Sequence, residues 1–439
     1  MTAVGSRGTQ NLGLKVKSSP KEKSWVSTFD GDESALHAPQ SEDARKEVAG
    51  LMAVTCNIMN AQTNSNIAGV VFDALTGAYI LSLPETMVDK NTFINIVMFM
   101  EDNSSMATLN QRLERHNVPL YSGRALLSVI FPEDFYYEKE DTVFRNGILI
   151  SGTLNSSNIG SASGSIIQAL YKDYGQARTV NFLTDIYRTA GAYLDTHGFS
   201  IGMDDCFLQG KDSGKVIEFE VQKARMLAKS MGVKLLDPME EERRETQVKA
   251  YLDTAKNFGT KISKNNLAPD NSFNIMAKSG AKGSTSNIAQ ITGILGQQFI
   301  YGQRMPEAIS GRTRSLHYFP ENSLEPAARG FITHSYLTGL TPAEYFFAQA
   351  AARVGILDTS TGISEVGFGH RKLVKAMEDL KIAPDGSVRN ASDVIFQFSY
   401  GDNAMSADML ETVKTKTGKF PSFINIKRVS GKINHKYGF

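Results

Sequence analysis

The sequence predicts a multidomain α+β protein, and three observations carry that prediction. The chain has 439 residues, 41% of them hydrophobic, enough for a large core divided among two to four domains. Between residues 119 and 170, short apolar runs alternate with Gly and Ser, the pattern of strands and turns. Residues 216–258 are charged and periodic, and a well-capped helical stretch opens at Thr341. Composition also excludes several classes. A formal net charge of +1 gives no global signature of a nucleic-acid binder. Cys56 and Cys206 form neither a disulfide framework nor a zinc pattern, which fits a reducing, intracellular compartment. Met1–Ser27 is too polar for a signal peptide, so the protein is not expected to be secreted. The apolar runs Ile94–Met100 and Ala125–Phe131 are too short to span a membrane.

Taken in order, residues 1–27 are rich in Gly, Ser, Thr and Lys and read as disordered. Ala44, Val48, Leu51 and Met52 recur at helical spacing, so a helix is expected across 42–55. Ala125–Phe131 and Gly147–Gly152 are expected as strands, with turns at Asn146–Gly147 and across 160–164. The 216–258 stretch fits two solvated amphipathic helices. Gly280-Ala281-Lys282-Gly283-Ser284 hints at a phosphate loop but lacks the Walker spacing. An independent phosphate-binding protein depending on Lys282 is therefore the weakest reading. Thr341 caps a helix, Pro342 suits its first position, and Glu344 completes a capping box. Helical patterning then continues, with interruptions, to about Asp379, a rod of roughly 55–60 Å. Gly362 in its middle costs about 1 kcal/mol of helix stability. The stretch 411–439 sets seven basic residues, Lys414, Lys416, Lys419, Lys427, Arg428, Lys432 and Lys436, against Glu411. Phosphate contact and a solvated disordered tail are both open for it.

The string Phe29-Asp30-Gly31-Asp32-Glu33-Ser34-Ala35-Leu36-His37-Ala38-Pro39-Gln40-Ser41 carries the most chemistry. Asp30 and Asp32 flank a residue without a side chain, so a tight turn can aim both carboxylates at one point. Crowded hard oxygen donors suit a magnesium ion that keeps waters and takes substrate phosphates. A bare Asp-Gly-Asp is otherwise most often a solvated turn. His37 is read as fixing the loop, with Phe29 and Gly31 as its structural neighbours. The other six histidines form no ligand spacing, and His370 reads as a surface or interface residue of the long helix.

This string resembles the metal-binding loop of the largest subunit of multisubunit DNA-directed RNA polymerases, of archaeal, eukaryotic or large-DNA-virus type. The family's form is Asn-Ala-Asp-Phe-Asp-Gly-Asp-Glu, then Leu-His and Pro-Gln-Ser. The departure is at Thr28, where the family has its first aspartate. Further blocks follow in the family's order. They are Ala61-Gln62-Thr63-Asn64, Gly69–Gly77, His197–Asp205, Met276–Ser284, Asn287-Ile288-Ala289-Gln290, Gly296-Gln297-Gln298, Ser335–Phe347 and Arg371–Asp379. After them come Val388-Arg389-Asn390, Val394–Phe398 and Tyr400-Gly401-Asp402. The resemblance fades near Val413.

What the resemblance implies is specific. The end of a double-psi β-barrel with the metal loop would lie at 29–56, a β-rich pore domain at 57–215 and a helical funnel at 216–273. A cleft region would occupy 274–413, with a bridge helix at about 341–380, between unmatched segments 1–28 and 414–439. Asp30 and Asp32 would hold Mg2+ for nucleotidyl transfer to an RNA 3′-hydroxyl. Arg353, Asp358, Thr359, Gly362, Ile363, Ser364, Glu365 and Arg371 would lie on the bridge helix beside template base and incoming nucleotide. There Ser360–Ser364 departs from the family's Ala-Val-Lys-Thr-Ala. Implied partners are the second-largest subunit, other polymerase subunits, the remaining parts of the largest subunit, template DNA, RNA and nucleoside triphosphates, with no membrane. The implied location is the nucleus or, for a virus, a cytoplasmic factory or virion. With the clamp and trigger loop outside the matched region, this polypeptide is expected to act only in assembly. A split gene whose upstream part encodes the missing aspartate would account for Thr28; a non-catalytic scaffold of polymerase origin is the alternative.

Overall fold

The computed structural model describes residues 38–438 except 61–62, 102–104, 210–212, 233–235, 269, 307–313, 322, 324, 405–408 and 416–417. The metal-loop expectations on Thr28, Phe29, Asp30, Gly31, Asp32 and His37 lie outside these residues.

Along the chain, α1 (Glu42–Glu47) runs into a π-helical turn and a 3-10 turn, so residues 42–57 wind helically but not as one helix. No strand occurs among the described residues before Met59, so the barrel end expected at 29–56 is not seen there. The strand pair β1 (Met59–Asn60) and β2 (Ser65–Asn66) leads to α2 (Phe72–Ser82), α3 (Lys90–Met98), α4 (Met106–Arg115) and α5 (Gly123–Ile130). An antiparallel sheet follows, β3 (Tyr137–Lys139), β4 (Thr142–Arg145) and β5 (Ile148–Ser151), then α6 (Ser156–Ile159) and α7 (Ile166–His197). Next come α8 (Ser213–Ser230), α9 (Pro238–Asn265), α10 (Ser272–Ser279) and α11 (Thr285–Thr292). Short strands β6 (Gly296–Gln297), β7 (Phe299–Ile300), β8 (Gln303–Arg304) and β9 (Phe331–Ile332) precede α12 (Pro342–Met377). The chain closes with β10 (Lys381–Ile382), β11 (Val388–Arg389), β12 (Ile395–Gln397), the hairpin β13 (Glu411–Thr415) and β14 (Gly418–Ser422), and α13 (Ile426–Tyr437).

These elements form two compact units. Among the described residues, one comprises those within 38–199, 275–282 and 409–438, and the other those within 200–274 and 283–404. The first has its core between α2, α5 and α7, where Phe131, Phe135, Phe144 and Phe182 are fully buried. Their rings pack with centroids 4.5–5.7 Å apart, close enough to add attraction beyond area burial. Here two expectations fail. Residues 57–215 are dominated by helices, not strands, and Ala125–Phe131 is helical up to Ile130. Ser122 caps α5 by accepting from the Ala125 amide, and residues 125–130 are all buried. A short apolar run buried on every side carries no period to separate helix from strand. The helix sits so close to α2 that a Cβ on Gly123 would meet the Leu81 carbonyl at 2.4 Å. The turn at Asn146–Gly147 is as expected, with φ of 50° and 68°, the left-handed pair of a tight hairpin.

The basic stretch 411–438 differs from a solvated tail: its described residues form β13, β14 and α13, part of the first unit. Arg428 explains why. Its guanidinium donates to Asp173 Oδ1 and Oδ2 at 2.8 and 2.9 Å and to Glu411 Oε1 and Oε2 at 2.8 and 3.2 Å. Lys172 pairs with Glu411 and Lys432 with Asp173. The far end of α13 rests on His435, which bonds Asn146 Oδ1 at 2.7 Å and lies against the Tyr136 ring.

In the second unit, α8 and α9 pair as expected for 216–258. Ile217, Val221, Ala224 and Ala228 pack against Val248, Leu252 and Ala255. Phe331 of β9 and Ile294 join the same cluster.

Removing one partner of a buried ion network strands the others. Arg428→Met is therefore expected to loosen α13 by about 3 kcal/mol, read as faster amide exchange across 426–437. A pH effect adds to this. Burial, His435, Arg145 and Arg115 push the His116 imidazole down, and burial and Arg145 push His435 down. Both therefore take up a proton less readily when docked. Undocked, they bind protons more readily, so docking of α13 weakens as pH falls below about 6.5. Amide exchange followed from neutral to acidic pH checks it; unchanged protection of 426–437 refutes it.

Candidate nucleic-acid interface

The long helix α12 is built as its sequence dictates. Thr341 Oγ1 accepts from the Glu344 amide while the Glu344 side chain accepts from the Thr341 amide, and Pro342 occupies the first turn. From there 36 residues continue as one α-helix, about 54 Å long. The interruptions expected inside it are absent. Four glycines, 355, 362, 367 and 369, are tolerated, and a Cβ at any of them would meet nothing within 4 Å. Thr359 and Thr361 hydroxyls donate back to the carbonyls of Gly355 and Leu357. Such back-bonding slightly loosens a helix.

Burial is confined to the first two turns, at Glu344, Phe347 and Ala348. Ala348 packs with Leu295, Ile332 and Leu340, and the Phe347 ring stacks on Phe319 at 6.3 Å. Glu344 is the polar centre of this anchor. Its carboxylate accepts from the Thr333 amide at 2.9 Å and from Thr333 Oγ1 at 3.2 Å. It also bonds His334 Nδ1 at 2.8 Å and accepts from the Thr341 amide and hydroxyl, both at 3.0 Å. Burial works to raise this carboxyl, but the hydrogen bonds from Thr341, Thr333 and His334 outweigh it and hold it below its ordinary range.

Beyond Ala352 the helix is exposed, except for partial burial at Val354 and Gly362. The expected site residues do not share one face. Arg353, Ser364 and Arg371 recur at intervals of eleven and seven, so they line one strip, with Arg353 and Arg371 about five turns apart. Asp358, Gly362 and Glu365 lie on the roughly opposite side. Thr359 and Ile363 fall on a third strip with Ile356, Val366, Val374 and Met377, all exposed hydrophobics. Arg353, Asp358, Glu365 and Arg371 make no ion pair among the described residues, whereas Lys375 pairs with Glu378 and Lys372 lies over the Phe368 ring. The structure therefore brings two arginines to one strip of a rod and separates them from the acidic pair.

Elsewhere, Lys282 of the candidate phosphate loop lies 5.1 Å from the centroid of the Phe72 ring. A Cβ on Gly280 would collide with the Ser156 side chain, so packing accounts for that glycine. Among the described residues no cluster of three or more His, Cys, Asp or Glu side chains could hold a metal ion. No described helix is long and apolar enough to cross a membrane. Sequence reasoning missed Thr333 and His334; a Thr-His pair just beyond a short strand gives no signal until β9 is seen beside the start of α12.

Comparison with known proteins defines the class. Residues 57–206 match the family described as RNA polymerase Rpb1, domain 3, residues 230–332 match domain 4, and residues 339–433 match domain 5. The last match runs past Val413, where the resemblance was expected to fade. The chain is 32% identical over 450 residues to a probable DNA-directed RNA polymerase II subunit RPB1 homolog of Invertebrate iridescent virus 6, covering 94% of this chain and 42% of that protein. It is 30% identical to DNA-directed RNA polymerase III subunit rpc1 of Schizosaccharomyces pombe, over 87% of this chain and 30% of that one. The same identity and share of this chain hold for DNA-directed RNA polymerase II subunit RPB1-B of Trypanosoma brucei brucei, with 22% of that protein covered. The chain belongs to the family of RNA polymerase largest subunits, and it spans between about a fifth and two fifths of these relatives' lengths.

Gly362 has open space at its Cβ position, so Gly362→Ala is expected to stabilise the middle of α12 by about 0.5–1 kcal/mol. Slower amide exchange at 359–366 would show it; unchanged exchange would mean that propensity does not limit this stretch. The Glu344 carboxyl is depressed in the fold, so its stabilisation is present above the ordinary value of 4.5 and is lost as pH falls through the lower folded value. Acid unfolding of the anchor should shift in Glu344→Gln, which has no such proton to take up.

Proposed function

We propose that this chain contributes the metal loop and the bridge helix of a DNA-directed RNA polymerase and works in magnesium-dependent nucleotidyl transfer, in assembly with the rest of the enzyme. What carries the reading is the run of three consecutive Rpb1 domain matches together with a continuous, exposed α12 bearing Arg353 and Arg371 on one strip. A rod of about 54 Å can lie along a duplex, and guanidiniums about five turns apart on one side suit contact with a phosphate backbone. Exposed Ile356, Ile363 and Val366 suit cover by protein from the remaining polymerase.

Asp30 and Asp32 are the residues that would hold Mg2+. Their hard carboxylate oxygens fit that ion, and two ligands leave room for waters and phosphate oxygens. When bound, the ion lowers the cost of ionising the RNA 3′-hydroxyl and offsets charge on the reacting phosphate. The chain's own part is to aim the carboxylates across Gly31 and to present α12 beside the template base. The remaining parts of the largest subunit, the second-largest subunit, template DNA, RNA and nucleoside triphosphates are the partners of this reading. Its location would be the nucleus or a viral factory. Thr28, a neutral residue where the resemblance expects a third carboxylate, favours a second reading as a non-catalytic scaffold.

The test is assembly of this chain with the remaining subunits, followed by RNA extension on a preformed primer–template scaffold. Asp30→Asn with Asp32→Asn should lower extension about a thousandfold, the few kcal/mol a metal supplies, without loss of assembly. An assembled wild type that binds the scaffold yet never extends it, with or without added Mg2+, supports the second reading.

A further inference from the structure

We propose that Glu344 is a positioning residue that sets the direction in which α12 leaves its core. The inference deepens the proposed function and rests on it for its catalytic consequence. An ordinary capping-box glutamate reaches back only to the N-cap residue of its own helix. Glu344 does this, and it also takes three hydrogen bonds from Thr333 and His334, which lie just past β9 and outside the helix. The sheet beneath is fixed independently. Gly296 pairs with Ile332, and the Leu295 amide donates to the His334 carbonyl at 3.1 Å. His334 is therefore tied through its backbone to Leu295 and through its ring to Glu344. One carboxylate joins the first turn of the helix to a strand that cannot shift without breaking its own ladder.

The remaining anchors lack this property. Ala348 and Phe347 hold the helix to Leu295, Ile332 and Phe319 by apolar and ring contact, which is non-directional and tolerates small rotations. Hydrogen bonds to a planar carboxylate do not. Leverage makes the difference count. Gly362 lies eighteen residues beyond Glu344, about 27 Å along the axis. A tilt of roughly 5° at the anchor moves that point by about 2 Å, and misplacements near 1 Å cost catalysis up to about a hundredfold.

The charged and titratable groups at this anchor are Glu344 itself and His334. Glu344→Gln keeps shape but sets an amide N–H against a backbone N–H whichever oxygen it replaces, because the Thr333 amide meets Oε1 and the Thr341 amide meets Oε2. Thr341→Ala is the control, because it weakens the helix start while leaving the bonds to Thr333 and His334. The direct experiment uses the full chain with Cys56 and Cys206 replaced by Ser and spin labels at Ser364 on α12 and Tyr251 on α9. Pulsed electron spin resonance then reads their separation. The expected result is a distribution shifted or broadened by about 2 Å in Glu344→Gln and unchanged in Thr341→Ala. In the assembled polymerase, Glu344→Gln should lower kcat for nucleotide addition about tenfold or more with KM nearly unchanged, and Thr341→Ala should not. Equal label distributions in wild type and Glu344→Gln, or the same shift in both variants, overturn the proposal. If the wild-type assembly does not extend RNA, the proposed function fails while the label distances still decide whether Glu344 sets the helix direction.

Discussion

A helix of 36 residues that buries side chains only in its first two turns is governed by its root. The Glu344 carboxylate, closed in by Thr333, His334 and Thr341, is that root. The interaction is local in space but joins two levels of organisation, the cap of a helix and the end of a strand pair. Within the second unit, the short β6–β9 ladder and the α8–α9 pair give the root something rigid to stand on, since Phe331 of β9 packs in the same cluster as Val248 and Leu252. The exposed remainder of α12 is then a property of the anchor. Among the described residues only Val354 and Gly362 of that remainder are partly buried, so its strips of arginine, acid and aliphatic side chains stay exposed.

The first unit solves a different problem. Its buried aromatic cluster supplies bulk apolar stabilisation, and the last described segment is fastened to it by charge. Arg428 is effective there because it meets two carboxylates with a planar fork, and the neighbouring Lys172 and Lys432 keep those acids from carrying excess negative charge. A stretch dense in lysine thus folds because a single arginine finds a half-buried acid on α7 and a buried one on β13.

Much of the architecture was legible where a residue type has one physical use. Thr341-Pro342-Ala343-Glu344 states a helix start unambiguously, Asn146-Gly147 states a tight hairpin, and the 3.6-residue period of 217–228 and 248–255 states a helical pair. The ordered motifs marked the family, and the comparisons bear that out across residues 57–433. The run Ala125–Phe131 was misread because uniform burial erases periodicity. The stretch after Glu411 stayed open between phosphate contact and a solvated tail because Asp173, Arg428's partner, lies 255 residues earlier in the chain.

The candidate interface divides the same way. Sequence by itself determined which residues the long helix carries and in what order, because a capped helix needs only local hydrogen bonds. It also set the cost of Gly362, since propensity is a property of the residue and its neighbours; that the helix runs through Gly362 unbroken is seen only in the structure. Only the tertiary structure decided that Arg353 and Arg371 share a strip apart from Asp358 and Glu365, because an unbroken helix keeps phase over five turns and a kinked one does not. Only the tertiary structure brought Thr333 and His334 to Glu344, because that contact depends on β9 pairing with β6, a pairing between segments more than thirty residues apart.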